Sequence, residues 1–352
     1  MARSLESFAV AVALATTLAM SAPVHTHAQP QPPVPKLTVA TASAHTAYSA
    51  IWIALDQKLF AKHGVDVELV NSNALSTGAA MIASGNVDLL ATTVFLGIRI
   101  AAERKPLSII MNLSNIDGRG NALVARPDVT SIEQLAAMGD RCKVNILPQG
   151  SATWAFYLYI SEAYKLRCGT NTASTPQLAA AGFLSGHFEA ALINPQEAYG
   201  AREAGKANIL LDPLTMTKRE AELAYPYHHP LSVLMGLRAN LQSKKQAVIR
   251  FVAALKEATA LMKTFTPQQF AETAGRLPDV FGSTPASVIK LQYQIQMIGI
   301  WEQPNDGRIS EADWKDLVAA APKGWGFSNF NFDAENTRYA DIVDMSYLDA
   351  AK

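Results

Sequence analysis

The chain has 352 residues, 49% hydrophobic and 17% charged, with Lys+Arg and Asp+Glu both at 30. That balance excludes wholesale disorder and supplies core material for two ordinary domains at ~150 residues each. A formal net charge of +0, with no local basic run, leaves no electrostatic footprint for nucleic acid, and none is expected as a partner.

The first 28 residues differ from the rest. Arg3 precedes an uncharged apolar run from Phe8 to Met20, and small residues at Thr26 and Ala28 flank a cut before Gln29. This is the layout of a secretory signal peptide, and the run is too short to span a bilayer; a buried N-terminal helix is the alternative. No cysteine follows that could carry a lipid. Residues 29–35 form a Pro-rich tether with no core of its own. The mature chain is expected to be exported and soluble.

Residues 36–94 then alternate between two periods. "KLTVA" is a short β-rich run. Tyr48, Ile51, Trp52, Leu55 and Leu59 fall at helical spacing, and Gly64 follows as a stop. "VDVELV" alternates apolar and acidic residues, a short helix covers about 77–83, and "VDLLATT" makes a third strand. Residues 142–194 repeat the order: strand "CKVNIL", helix 153–166, a strand near 170–174, helix 177–184 and strand "FEAALIN". The repeat extends to wording, since "ASGNVDLLATTV" (83–94) aligns with "LSGHFEAALINP" (184–195). A βαβαβ order implies a mostly parallel sheet flanked by helices. Written twice, it implies two similar lobes, or else one large doubly wound sheet.

"NALVARPDV" (121–129) leaves the first unit and "HPLSVLMGLR" (229–238) returns to it, so two strands cross between lobes and form a hinge. The segments after 242 read as helices that pack most simply on the first lobe. The expected division is 36–122 plus 233–352 for lobe 1 and 123–232 for lobe 2. The two cysteines, Cys142 and Cys168, fall at one end of a strand–helix pair; a disulfide and two free buried thiols both remain open.

The run "AYSAIWIALDQKLFAKHGVDVELVNSN", followed by "MIASGNVDLLATT", resembles the periplasmic substrate-binding proteins of ABC importers for nitrate, sulfonates, taurine and the thiamine pyrimidine precursor. The resemblance implies an α/β, two-lobed type 2 periplasmic-binding fold that closes like a Venus flytrap. It also implies a monomer in the periplasm that captures a small-molecule solute and delivers it to an ABC permease of the inner membrane, with no cofactor and no catalysis. A solute sensor for a membrane receptor is one alternative. A pyrimidine-precursor enzyme on the same fold is another, although two cysteines depart from the cysteine-rich iron motif of those relatives.

In open α/β sheets ligands sit beyond the carboxyl ends of the strands, where helix N-termini also point and can hold an anion without arginine. The candidate ligand-binding residues lie there: His45, Thr46 and Tyr48 after the first strand, Ser76 and Thr77 after the second, Thr92 and Thr93 ending the third. In the second unit they are Ser151, Thr153, Trp154 and Asn194, with His228 beside the hinge. Helix capping competes as an account of Thr46, Ser76, Thr77, Ser151 and Thr153. Core packing competes for the aromatic residues, although Tyr48 and Trp154 in first helical turns are placed to stack on an organic ligand. Arg119 could pair with a carboxylate or sulfonate, or simply sit at the surface. The adjacent His228 and His229 do not make a metal site, and "EQPNDGRISEAD" (302–313) fits a helix start better than a calcium loop.

Overall fold

The computed structural model describes residues 34–352 apart from 42–45, 73–74, 104, 149–150, 175, 283, 300–305 and 321–336. The signal-peptide reading, the tether up to residue 33 and His45 lie outside the described residues.

Among the described residues ten strands form two five-stranded sheets. β1 (Lys36–Thr41), β2 (Asp66–Asn71), β3 (Leu89–Thr93) and β4 (Leu107–Ile116) come first. β5 (Ala122–Ala125), β6 (Lys143–Ile146), β7 (Gly169–Thr172), β8 (Ala190–Ile193) and β9 (Asn208–Leu211) follow, and β10 (His229–Leu237) returns to the first sheet. The orders are β2-β1-β3-β10-β4 and β7-β6-β8-β5-β9. These are the same arrangement twice: three parallel strands, then two joined antiparallel. The single-sheet alternative is excluded, and the fold is α/β and two-lobed.

The doubled wording has a physical reason. Gly85 and Gly186 end their helices with φ of 74° and 81°, the left-handed region in which glycine carries no Cβ penalty. Asp88 then accepts from the Thr38 backbone N–H of β1 at 2.9 Å and pairs with Lys244 at 2.8 Å. Glu189 accepts from the Lys143 N–H of β6 at 2.8 Å and pairs with Arg126 at 3.3 Å. In each sheet one carboxylate satisfies the first free donor of the neighbouring strand, which is why an acidic residue recurs three positions after each glycine.

Two strands escaped the periodicity. β4 is buried at every position, and β9 is only four residues long. β4 buries Ser108, Asn112, Ser114 and Asn115 along with its apolar residues, so its sequence has no apolar/polar alternation to read, and β9 is too short to show one. Consequently the outgoing crossing lies earlier than 121–129 suggests: β4 carries the chain out of the first sheet, and β5 is already an inner strand of the second, between β8 and β9. β4 pairs with β10 from Ile116↔His229 to Leu107↔Leu237, so the outgoing and returning strands run side by side.

The helices after β10 cover the first sheet. Lys245–Met262 packs on the helix Ser49–Asp56 and on β1, with Phe251 stacked on Phe60 at 4.9 Å. Ala286–Gly299 departs from the expected arrangement: it packs on Pro267–Gly275 and also touches the helix Pro195–Glu203, which follows β8 of the other sheet. Cys142 and Cys168 are disulfide-bonded, tying the start of β6 to the start of β7. No helix among the described residues is long and apolar enough to cross a membrane.

Candidate functional site

A cavity of about 200 Å³ lies between the sheets. Its first wall is Thr46, in the 3-10 turn Thr46–Tyr48 that follows β1, with Ile116 ending β4 and Leu231 of β10. Its second is Leu147 beyond β6, Thr153 in the first turn of helix Ala152–Ala163, and Asn194 to Gln196 where helix Pro195–Glu203 begins. Its third is Gln292, Ile295 and Gln296 of helix Ala286–Gly299. Strand ends of both sheets and two helix N-termini therefore converge on one space, where backbone N–H groups carry partial positive charge. None of the described lining residues is charged.

The hydroxyl chemistry of the second wall is specific. Ser151 is the N-cap of helix Ala152–Ala163: its Oγ accepts from Trp154 N at 3.2 Å and donates to Pro148 O at 2.7 Å. Its single proton is thereby used. In the 3.1 Å contact between the Ser151 and Thr153 hydroxyls, Thr153 must then be the donor. Thr153 Oγ1 meanwhile accepts from Leu147 N at 3.1 Å. An anionic or carbonyl oxygen in the cavity could take the Thr153 proton at little cost to the cap. Ser151 caps, and Thr153 lines the cavity.

The other expected residues divide. Thr46 and Asn194 line the cavity with Thr153. Asn194 shares a side-chain hydrogen bond with Glu197, whose carboxyl burial holds above the usual range. Tyr48 turns into the core: it is buried, bonded to the Ser232 side chain, and edge-on to Trp52 at 6.5 Å. Trp154 is half-buried and packs against the main core. Thr77 is exposed on helix Leu75–Ala83, the helix that also holds Ser76, whose side chain lies outside the described residues. Thr92 is fully buried in β3 opposite Val233, its Oγ1 without a partner, and Thr93 is half-buried at the start of helix Val94–Ala102. Tyr48, Trp154, Thr77, Thr92 and Thr93 are not among the cavity's lining residues.

His228 and Arg119 belong to a separate, larger cavity of about 630 Å³ beside the crossing segments. Arg119 pairs there with Asp117 at 3.1 Å and is mostly buried, so it is not a surface arginine, and it lines this second cavity rather than the first. His229, the first residue of β10, is fully buried. Its Nδ1 lies 2.8 Å from the carbonyl of Pro230, which can only accept, so Nδ1 carries the proton and Nε2 accepts from Tyr225 Oη at 2.7 Å. Burial pushes its pKa from 6.5 down to about 4, so the ring is neutral at pH 7. No cluster of three or more His, Cys, Asp or Glu side chains among the described residues could hold a metal ion.

The polar residues that the strand-end rule does not reach are Asn121, Gln292 and Gln296. One signal was available: Gln292 and Gln296 stand four apart on a helix that is otherwise largely apolar, hence on one face.

Solved structures share this architecture. A ligand-binding component of an ABC-type import system from Staphylococcus aureus superposes with a TM-score of 0.66 at 14% identity, over 90% of this chain and 99% of that one. It is the fold of periplasmic binding proteins. The alkanesulfonate-binding protein SsuA from Xanthomonas axonopodis pv. citri, bound to MOPS, gives 0.57 at 15% identity over 81% and 91% of the two chains. The periplasmic nitrate-binding protein NrtA from Synechocystis PCC 6803 gives 0.59 at 14% identity over 91% and 89%. No family model matches the chain, and no curated protein does. The periplasmic-binding fold explains why the cavity takes its walls from both sheets.

Proposed function

We propose that this chain is the extracytoplasmic solute-binding component of an ABC importer. It captures a small anionic organic solute in the 200 Å³ cavity and delivers it, as a monomer in the periplasm, to a membrane permease. The observation that carries the reading is the convergence of two helix N-termini and the Thr153 hydroxyl on an uncharged cavity between two sheets. Such a site rewards one negative charge without burying a counter-ion. The volume is several times the ~30 Å³ that a water molecule occupies in the liquid, which favours an organic molecule over a bare inorganic ion. A binding role is supported by the solved structures that share the fold, which include ligand-, alkanesulfonate- and nitrate-binding proteins.

The test is a thermal-shift screen of MOPS, 1-propanesulfonate, benzoate and nitrate. A ligand at a hundredfold excess over its Kd stabilises by about 2.7 kcal/mol, a shift of roughly 5 °C for a chain of this size. An organic anion that shifts the transition and shrinks the radius of gyration supports the reading. A flat response to all four refutes the anionic assignment.

A further inference from the structure

Asn121 sits on the connector that carries the chain from the first sheet to the second, between the end of β4 at Ile116 and the start of β5 at Ala122. It is 6% exposed, and it lines the cavity. Its carboxamide makes no hydrogen bond among the described residues, yet its polar atoms are not sealed in the packing as Thr92 Oγ1 is. The little surface it keeps therefore opens on the cavity. Neighbouring amides of the wall are engaged: Asn194 and Gln196 bond the Glu197 carboxyl, and Gln296 lies 3.4 Å from Ser49 Oγ. A buried carboxamide with donor and acceptor both unused destabilises a protein unless something else answers it.

Its place is also fixed. Gly120 lies so close to helix Ala152–Ala163 that a Cβ there would stand 2.9 Å from Phe156 Cε2. On the other side Ala122 is anchored opposite Ile193 in the β5–β8 ladder. Continued by one residue, that antiparallel register sets Asn121 across from Asn194, which precedes helix Pro195–Glu203. Asn121 thus stands beside one of the two helix N-termini that favour an anion.

We propose that Asn121 is a binding residue of the site and that its carboxamide pairs with an amide edge of the solute, donating from its N–H and accepting at its oxygen. The proposal rests on the solute-binding reading and narrows it. The solute class is a small organic anion that also carries a carboxamide or lactam group. An anion whose other groups only accept uses the Asn121 N–H, leaves the oxygen unanswered and binds more weakly.

The experiment compares succinamate with levulinate, in which a methyl group replaces the amide NH2 while the carboxylate and the carbonyl oxygen stay. Calorimetry and melting are run on the wild type and on Asn121→Leu, close in shape but without the amide. The wild type is expected to bind succinamate about tenfold tighter than levulinate. In the variant, succinamate affinity is expected to fall about tenfold or more and the preference to drop below about twofold. The ligand-free melting temperature is expected to stay level or rise, because an unanswered carboxamide has been removed. Equal affinities in the wild type, a preference that survives in the variant, or a lower ligand-free melting temperature each overturns the proposal, the last because it means the amide is bonded within the protein. The wild-type comparison needs no variant and decides even where Asn121→Leu folds poorly. If the wild type binds neither probe, the amide-bearing class is refuted. A response to MOPS, 1-propanesulfonate or benzoate would then leave the functional reading standing, whereas silence toward every anion would sink both.

Discussion

Acidification to pH 5 is expected to destabilise the fold through His229. The ring is fully buried at the start of the returning strand, bonded to Tyr225 and the Pro230 carbonyl, with Phe95 edge-on at 5.7 Å. Burial lowers its pKa from 6.5 to about 4, so between those values the unfolded chain binds the proton and the folded chain does not. Stability from this residue is therefore complete above about pH 6.5 and is lost as the pH falls toward 4. Integrated between the two pKa values, the loss is about 2 kcal/mol at pH 5 and about 3 kcal/mol by pH 4. The assay is urea unfolding followed by tryptophan fluorescence at pH 7.5 and pH 5, for the wild type and His229→Gln. Glutamine can keep both hydrogen bonds but does not titrate. Other groups, including Glu197 whose raised pKa acts in the opposite sense, are common to both proteins and cancel. The wild type should lose about 2 kcal/mol more than the variant on going to pH 5. Parallel pH profiles would refute the assignment.

Thr153→Val removes the hydroxyl that faces the cavity and the acceptor for Leu147 N, so it should cost about 1–2 kcal/mol and abolish the ligand-induced thermal shift. A variant that still responds to ligand at wild-type concentrations would remove Thr153 from the site. Replacing both cysteines with serine opens a loop with a sequence separation of 26, worth about 3–4 kcal/mol by chain entropy, and should lower the unfolding free energy from urea titration by that amount. Asp88→Ala strips the acceptor from Thr38 N–H and the partner from Lys244, and about 1–3 kcal/mol should follow in the same assay. A change near zero would mean that water replaces the carboxylate without cost.

The sequence alone determined what short-range physics writes into it. Period-two and helical spacing located β1, β2, β3, β6, β8 and β10 within a residue or two, because each has a polar flank or a glycine stop to mark its end. The Ser-Gly-x-x-acid repeat announced two copies of one unit, since the same turn and the same carboxylate-to-strand bond are needed in each sheet. Tertiary structure decided the rest. Whether Thr153, Thr46, Thr92 or Tyr48 meets a ligand depends on which side of a sheet or helix turns to the other lobe, and local spacing carries no record of that. Ser151 and Thr153 differ by two positions and read alike, yet one caps a helix and the other lines the cavity. Gln296 lies far along the chain from every strand end, and only the folding of helix Ala286–Gly299 across both sheets brings it to the cavity wall.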